Sequence, residues 1–372
     1  MTSLNVFDLT RASCRSPERQ NSHGFPGGGD GGTAPHTPGG ALCLSTIEDA
    51  TCNFLVLQRD VTDIPDNPDK EASRLLQDGA EIGWGLIDEV LPGKESPMYA
   101  IAENRARITH GEWSDEDVTF PLEAAGAFLG TVCSHVVGLA DIFAAGDPVR
   151  IHPVMTLIRS EAEAAGLMMW MLEPFVAPSG VHEEVDAAHW LPFASTVLAR
   201  AQLLMIDSLS DRAKRRRAEG NAEAAAEADE GLADHARRIK EQDSSEATNL
   251  TGTDRRAWRV AGERLPTRTE QSTISTEYAY GQDVRFSGMN PYPMLSGHAH
   301  ASLDVAFAYT LGRRDAGMSG LFAATPGEVR QTASLAIRIL AASLDFYANA
   351  VGQDRTTLDA WTEASDRFVL GP

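Results

Sequence analysis

The sequence has few cysteines, fewer basic than acidic residues and no strand-like pattern, and each shortage excludes a class of protein. Its four cysteines form no CxxC pair and no zinc-like spacing, so neither a disulfide framework nor a zinc site is predicted. Lys and Arg total 32 against 53 Asp and Glu, a formal net charge of -21, and such a chain repels nucleic-acid phosphates and anionic lipid. No segment alternates polar and apolar residues with the period of two that a half-buried strand shows.

An apolar run is also missing from the N-terminus, which argues against a secretory signal peptide. The most apolar internal segment, residues 124–146, is almost long enough to span a bilayer and contains a small-xxx-small pair, Gly126 and Gly130. His135 and Asp141 interrupt this segment, and close-packed core helices use small residues for the same steric reason. We interpret it as a core helix and predict a cytoplasmic protein with no membrane partner.

Composition divides the chain into regions. Residues 1–44 include "HGFPGGGDGGTAPHTPGGA", which has too little apolar surface to offset the entropy of ordering, and they predict a disordered leader. Residues 45–118 predict an N-terminal helical or irregular segment, and residues 119–370 a helical bundle. Within the bundle, residues 210–265 are predicted to form a polar arm and loop.

Helical periodicity dominates after the leader. "DKEASRLLQDGAEIGWGLIDEVLPG" predicts a helix that Pro92 and Gly93 close, whereas residues 96–120 fit either a short helix or an irregular connection. Further helices are predicted at 119–145, from Pro153 to Pro174, from Ala187 to about 242 with a break near Gly220, and at 267–280, 292–311, 326–351 and 355–368. The second half of the long helix has few apolar residues on any one face. It is therefore predicted to project into solvent as a helical arm or hairpin. The predicted fold class is therefore all-α, a helical bundle with appendages.

Charged residues stand inside the most apolar of these helices. Arg159 and Glu163 are four residues apart and share a helix face, although Arg before Glu is the weaker order for an exposed pair. A buried charge is costly unless it is paired and hydrogen-bonded, so this face, if it points inward, needs the pair and a third partner.

A second polar stripe offers that partner. Ser296, His300 and Asp304 recur at i, i+4 and i+8, whereas His298 lies on a different face, which makes a His-x-His chelate geometrically poor. No metal and no cofactor are therefore predicted. The chain has no G-x-S-x-G elbow for a nucleophilic serine, and a satisfied polar stripe in a helical core stays open as the alternative to a site.

The same residues carry a resemblance. "LIRSEAEAAGLMMWMLEP", followed by "YPMLSGHAHASL", resembles a group of uncharacterised bacterial helical proteins that are similar to HEPN-type bundles. The resemblance covers about 119–311 and is carried by Arg159, Glu163, Trp170, Pro174, Tyr292, Leu295, Ser296 and His300. It implies a helical domain of the kind found in toxins, abortive-infection systems and nucleotide-handling accessory proteins. The candidate polar cluster comprises Arg159, Glu163, Tyr292, Ser296 and His300.

Two features bear on nucleic acid. Ribonuclease HEPN proteins carry Arg-x(4–6)-His at a helix start, and the one match here, Arg105 to His110, lies outside the resembling region and is no more than chance supplies. A run of basic residues on a predicted exposed helix is a weak candidate for contact with a phosphate backbone. It comprises Arg212, Lys214, Arg215, Arg216 and Arg217. An acidic stretch follows it and balances its charge, so nucleic acid is a disfavoured partner.

The preferred hypothesis is a HEPN-like protein that acts through binding or assembly, or as a defence-associated accessory protein. The alternatives are an RNA-cleaving or nucleotide-modifying enzyme that uses the cluster around His300, and a metal-dependent helical-bundle hydrolase. The sequence identifies no partner and leaves a homo-oligomer among the alternatives.

Overall fold

The part of the chain that can be described is almost entirely α-helical. A computed structural model describes residues 68–88, 96–103, 115–145, 149, 151–176, 187–242, 246–250, 255–280, 295 and 326–370. Its helices are α1 (Pro68–Asp88), α2 (Pro97–Glu103), α3 (Asp115–Ala144), α4 (Ile151–Leu172), α5 (Ala187–Ala218), α6 (Ala222–Gln242), α7 (Arg268–Tyr280), α8 (Pro326–Val351) and α9 (Thr356–Leu370). Within these ranges there is no strand, only the isolated bridges Asn249–Arg259 and Val260–Glu263, so the all-α prediction is confirmed.

Helix ends follow the local signals with small shifts. Residues 97–103 adopt a short helix, α2, in a segment where an irregular connection was the alternative. α3 begins four residues before the predicted 119, and Pro121 lies inside it. α4 ends at Leu172, and a 3-10 turn (Glu173–Phe175) follows because Pro174 cannot continue the helix. The predicted break near Gly220 is confirmed, and this glycine has a φ of 75° in the turn between α5 and α6. The predicted leader and the predicted helix 292–311, apart from Leu295, lie outside the described residues.

α4 is the central helix of the bundle. One of its stripes is completely buried along its whole length, and it comprises Val154, Ile158, Glu161, Ala165, Met168 and Leu172. α3, α7 and α8 pack around α4. The burial of five apolar side chains on one stripe, each contributing about 1 to 3 kcal/mol when fully buried, explains why this segment forms the core.

α4 and α7 run parallel and in intimate contact. Arg268 lies opposite Glu163 and Gln271 opposite Gly166, so both helices advance together. At the crossing, a Cβ added to Gly166 would lie 1.9 Å from the Gln271 carbonyl oxygen. Glycine is therefore required at 166 because the backbone of α7 occupies the space of a side chain.

α3 packs antiparallel to α1 through its two glycines. A Cβ on Gly130 would meet the Trp84 ring at 3.1 Å, and one on Gly126 would lie 3.8 Å from Ile87. The small-xxx-small pair thus accommodates side chains of α1. Among the described helices, the stretches Thr119–Ala144 and Pro326–Val351 are long and apolar enough to cross a membrane. Buried core helices meet the same criterion, so the cytoplasmic location stays a prediction.

α5 and α6 pack against each other, and α5 is also tied to the body of the bundle. Arg200 of α5 donates hydrogen bonds to Glu173 at 2.9 Å and to Glu263 at 2.8 Å, and it stacks 5.3 Å over the Trp170 ring. On α6, Ala225, Ala228 and Ile239 are buried, so alanines supply much of the stripe that faces α5. That this pair of helices extends as an arm stays a prediction.

Candidate functional site

Arg159 and Glu163, the two described members of the predicted polar cluster, are bonded to each other. Arg159 Nε donates to Glu163 Oε1 at 2.7 Å, and the two side chains are 7% and 20% exposed. Arg268 Nε of α7 lies 3.9 Å from the other carboxylate oxygen of Glu163. The face therefore points inward and the pairing expected for buried charges is present. The pair links two successive turns of α4 and lies next to the place where α4 crosses α7.

The other three members of the predicted cluster belong to a different segment of the chain. Tyr292, Ser296 and His300 lie outside the described residues. Leu295, next to Ser296, is described, and it is completely buried in the core. The joint cluster that the sequence predicts around His300 remains a prediction.

Glu161, a residue of α4 outside the predicted cluster, is a buried acid. It is completely buried, and neither of its carboxylate oxygens has a hydrogen-bond partner among the described residues. Burial raises the pKa of this carboxyl well above its ordinary value, which favours the neutral acid. Burial, and secondarily the charge of Glu161, raise the pKa of the neighbouring Cys133 thiol to about 12, so this thiol is not a nucleophile at neutral pH.

The basic run on α5 is exposed but partly neutralised. Arg216 pairs with Glu219 at 3.0 Å, and Arg217 pairs with Asp229 of α6. Arg212, Lys214 and Arg215 are exposed on the same helix. Exposed pairs of this kind contribute little energy, and the acidic residues of α6 weaken the field that a phosphate backbone would meet.

The described bundle carries an apolar groove, which the sequence did not predict. Its volume is about 580 Å³, and we call it the tryptophan groove. It is lined by Trp84 and Ile87 of α1, by Leu122, Glu123, Gly126, Ala127, Gly130, Thr131 and Ser134 of α3, and by Tyr347 of α8. Trp84 is 40% exposed, one of two large hydrophobic side chains that stand out among the described residues, and the other, Val137, also lies on α3.

The surface of α3 that continues the groove carries no charge. Between Glu123 and Asp141 its exposed positions are Ala127, Thr131, Ser134 and Val137. The two hydroxyls bond within the helix: Thr131 Oγ1 donates to the Ala127 carbonyl and Ser134 Oγ to the Gly130 carbonyl, both at 2.8 Å. The face can therefore be covered by an apolar surface without leaving these donors unsatisfied.

Acidic residues surround this uncharged face. Glu81 and Asp88 are exposed on α1, one turn to either side of Trp84, and Glu123 and Asp141 bound the uncharged stretch on α3. α3 contains no Lys or Arg. The uncharged positions suit contact with an apolar surface, and the carboxylates around them would favour basic over acidic neighbours.

Sequence reasoning missed the groove because its walls come from three helices that are far apart in the chain. One signal was available: α3 has no charged residue for 17 positions between Glu123 and Asp141. Within the described ranges, no three His, Cys, Asp or Glu side chains come together in a way that could hold a metal ion. No protein-family model, no curated protein and no solved structure matches the chain.

Proposed function

We propose that this chain is a cytoplasmic, HEPN-like helical protein that works by binding or assembly, and that the tryptophan groove is its binding surface. The observation that carries the proposal is a half-exposed tryptophan in an apolar groove whose one charged lining residue is Glu123. Among the described residues, the other large apolar side chains are mostly buried. Contiguous apolar surface of this kind marks interaction sites, and tryptophan is the residue type most enriched among binding hot spots. We assign this binding role to an accessory protein, such as a defence-associated one, because HEPN-like bundles occur in proteins of that kind.

Chemistry at the polar cluster has less support. An RNA-cleaving or nucleotide-modifying reaction needs side chains that reach a substrate in a pocket. Arg159 and Glu163 are instead bonded to each other at 2.7 Å and mostly buried. A metal-dependent hydrolase needs at least three converging ligands. His298, His300 and Asp304, which that alternative would draw on, lie outside the described residues.

The proposal is tested with Nile red, a neutral dye whose fluorescence rises in apolar surroundings. Thr131 is exposed within the groove, so Thr131→Arg should block the groove without disturbing the core. Thr156→Arg is the matched control, because Thr156 is an exposed helical threonine of α4 with the same hydrogen bond to the carbonyl four residues earlier.

We expect the wild-type chain and Thr156→Arg to bind the dye equally and Thr131→Arg to bind it on the order of tenfold more weakly. Equal dye binding by all three proteins would overturn the assignment of the groove as the binding surface. Cleavage of a fluorogenic RNA by the purified chain, lost in His300→Ala, would instead establish the enzymatic alternative.

A further inference from the structure

We propose that the tryptophan groove takes an amphipathic helix of a partner protein, apolar on one face and lined with Lys or Arg on its flanks. The inference rests on the proposed function and names the chemistry of the occupant. It follows from the length of the groove, from its hydrogen-bonding state and from the charges around it.

The length of the groove suits a short helix. Its floor runs along α3 from Leu122 to Ser134, which at 1.5 Å per residue is about 18 Å, or roughly three helical turns. Trp84 supplies exposed aromatic surface on the α1 side. Tyr347 is 3% exposed and reaches the groove at Gly126, where an added Cβ would lie 3.6 Å from its hydroxyl. Grooves of this form hold the apolar face of an amphipathic helix through side chains spaced at three and four residues.

The hydrogen-bonding state of the floor favours an apolar face over a polar one. Thr131 and Ser134 already donate to carbonyls of their own helix, and Gly126, Ala127 and Gly130 bring no side-chain donor. A polar ligand would therefore find few side-chain donors on the floor of the groove. An apolar helix face, in contrast, can bury Trp84 further and gain its transfer free energy.

The charges around the groove select the flanks of the partner. Glu123 lines the groove, and Glu81, Asp88 and Asp141 are exposed on the same two helices outside the lining; we call these four carboxylates its rim. α3 contributes no Lys or Arg. The nearest basic residues of α1 and of the turn after α8 already have acidic partners: Arg74 pairs with Asp78 at 2.7 Å, and Arg355 pairs with Asp345 and Asp359.

The same rim disfavours the other occupants. A second copy of the chain would bring an identical acidic rim against this one, and an anionic lipid surface would be repelled by it. Lys or Arg on the flanks of a partner helix would instead be attracted to the rim. Electrostatic complementarity of this type sets specificity and salt dependence more than it sets affinity.

The test uses the full chain and three labelled synthetic peptides, followed by fluorescence anisotropy. The first has a leucine face with Lys flanks, the second the same face with Glu flanks, and the third a scrambled order of the first. We expect the Lys-flanked peptide to bind on the order of tenfold more tightly than the Glu-flanked one at low salt, with the difference shrinking as salt is added. Thr131→Arg should weaken this binding on the order of tenfold and Thr156→Arg should leave it unchanged.

A second variant tests the rim separately from the floor. Glu81→Gln combined with Asp88→Asn removes two of the four exposed rim charges, so it should reduce the preference for Lys flanks while the protein stays folded. Equal affinity for the Lys-flanked and Glu-flanked peptides would overturn the inference. A dimer in sedimentation that Thr131→Arg dissociates would replace the partner helix by a second copy, and binding to neutral phosphatidylcholine vesicles that Thr131→Arg abolishes would replace it by lipid.

The two proposals fail in different ways. If Nile red still distinguishes Thr131→Arg from Thr156→Arg but the peptides show no charge preference, the groove is a binding surface and the proposal of a basic-flanked partner helix is refuted. If neither the dye nor any peptide distinguishes the two variants, the proposal that the groove is a binding surface is refuted.

Discussion

Replacing Glu161 by Met is expected to stabilise the protein at neutral and alkaline pH, although most core substitutions destabilise. The carboxyl of Glu161 is completely buried on the central stripe of α4 and has no hydrogen-bond partner among the described residues. In the folded protein its pKa is raised well above 4.5, the ordinary value that applies to the unfolded chain, because burial disfavours the charged form. Met is unbranched and similar in length, so it fills the site with apolar atoms.

The size of the effect follows from proton binding. Between pH 4.5 and the raised pKa, folded Glu161 holds a proton that the unfolded chain has released. The free energy of unfolding then falls with rising pH by about 1.4 kcal/mol per pH unit. Below pH 4.5 the carboxyl is protonated in both states and this loss is absent. The Met variant lacks the titrating group, so its advantage over the wild type should grow with that slope as the pH rises.

Urea unfolding followed by circular dichroism, repeated over a series of pH values from about 5 to about 9, measures this slope. The difference between variant and wild type is the quantity of interest, because other shifted groups cancel in it. Glu270 is one of these: its hydrogen bond to Arg264 is the main reason why its pKa is lowered to about 2. Its stabilisation is lost only as the pH falls below 4.5, the opposite sign to Glu161.

Two substitutions serve as controls. Glu161→Gln removes the titration but leaves an unpaired buried amide, so it should flatten the pH dependence without the full gain in stability. Glu163→Gln changes the paired carboxyl two residues away and should destabilise, because it weakens the bond to Arg159. A Met variant whose stability differs from the wild type by the same amount at every pH would refute the reasoning, since it would show that Glu161 is paired or solvated in the folded protein.

Two further predictions concern the packing of α4. Gly166→Ala should destabilise the protein by about 2 kcal/mol or more, because its Cβ would lie 1.9 Å from the Gln271 carbonyl oxygen. Gly85→Ala is the control: its Cβ would meet open space, so it should stabilise α1 by roughly 0.5 to 1 kcal/mol. Thermal unfolding of both variants checks this, and equal effects would show that α4 and α7 do not cross closely at Gly166. Arg159→Ala and Glu163→Ala should each cost on the order of 3 kcal/mol and the double variant clearly less than their sum. Additive effects below about 0.5 kcal/mol each, in the same urea assay, would place the pair in solvent.

Helix positions could be predicted from the sequence because the signals for them are local. Gly220 ends α5 through a turn that needs a positive φ, and Pro326 begins α8, both within a residue or two of the expected place. The inward face of Arg159 and Glu163 could also be predicted, since their spacing of four and the apolar residues around them fix one helix face.

The tryptophan groove could not be predicted because its one sequence signal, the uncharged stretch of α3, does not show which helices lie beside that stretch. Trp84, Gly130 and Tyr347 meet only after three helices have packed, and nothing within four residues of Trp84 shows which helix will lie beside it. The same limit applied to the Gly126 and Gly130 pair, whose spacing suits a membrane helix, a dimer or a core contact equally well. Contact with Trp84 and Ile87 of α1 shows that these glycines serve packing within the chain.

The inner and outer faces of α3 differ in what folding requires of them, and the difference supports a binding role for the groove. Folding constrains the inner face of α3 to be apolar, and Leu129, Val132 and Cys133 are completely buried there. The outer face has no such constraint, because an exposed helical position such as Thr131 or Ser134 tolerates charge at little cost. Folding explains the absence of charge at the buried positions between Glu123 and Asp141, but it does not require it at the four exposed ones, Ala127, Thr131, Ser134 and Val137. The proposed partner, an apolar helix with basic flanks, would fit both these uncharged positions and the carboxylates around them.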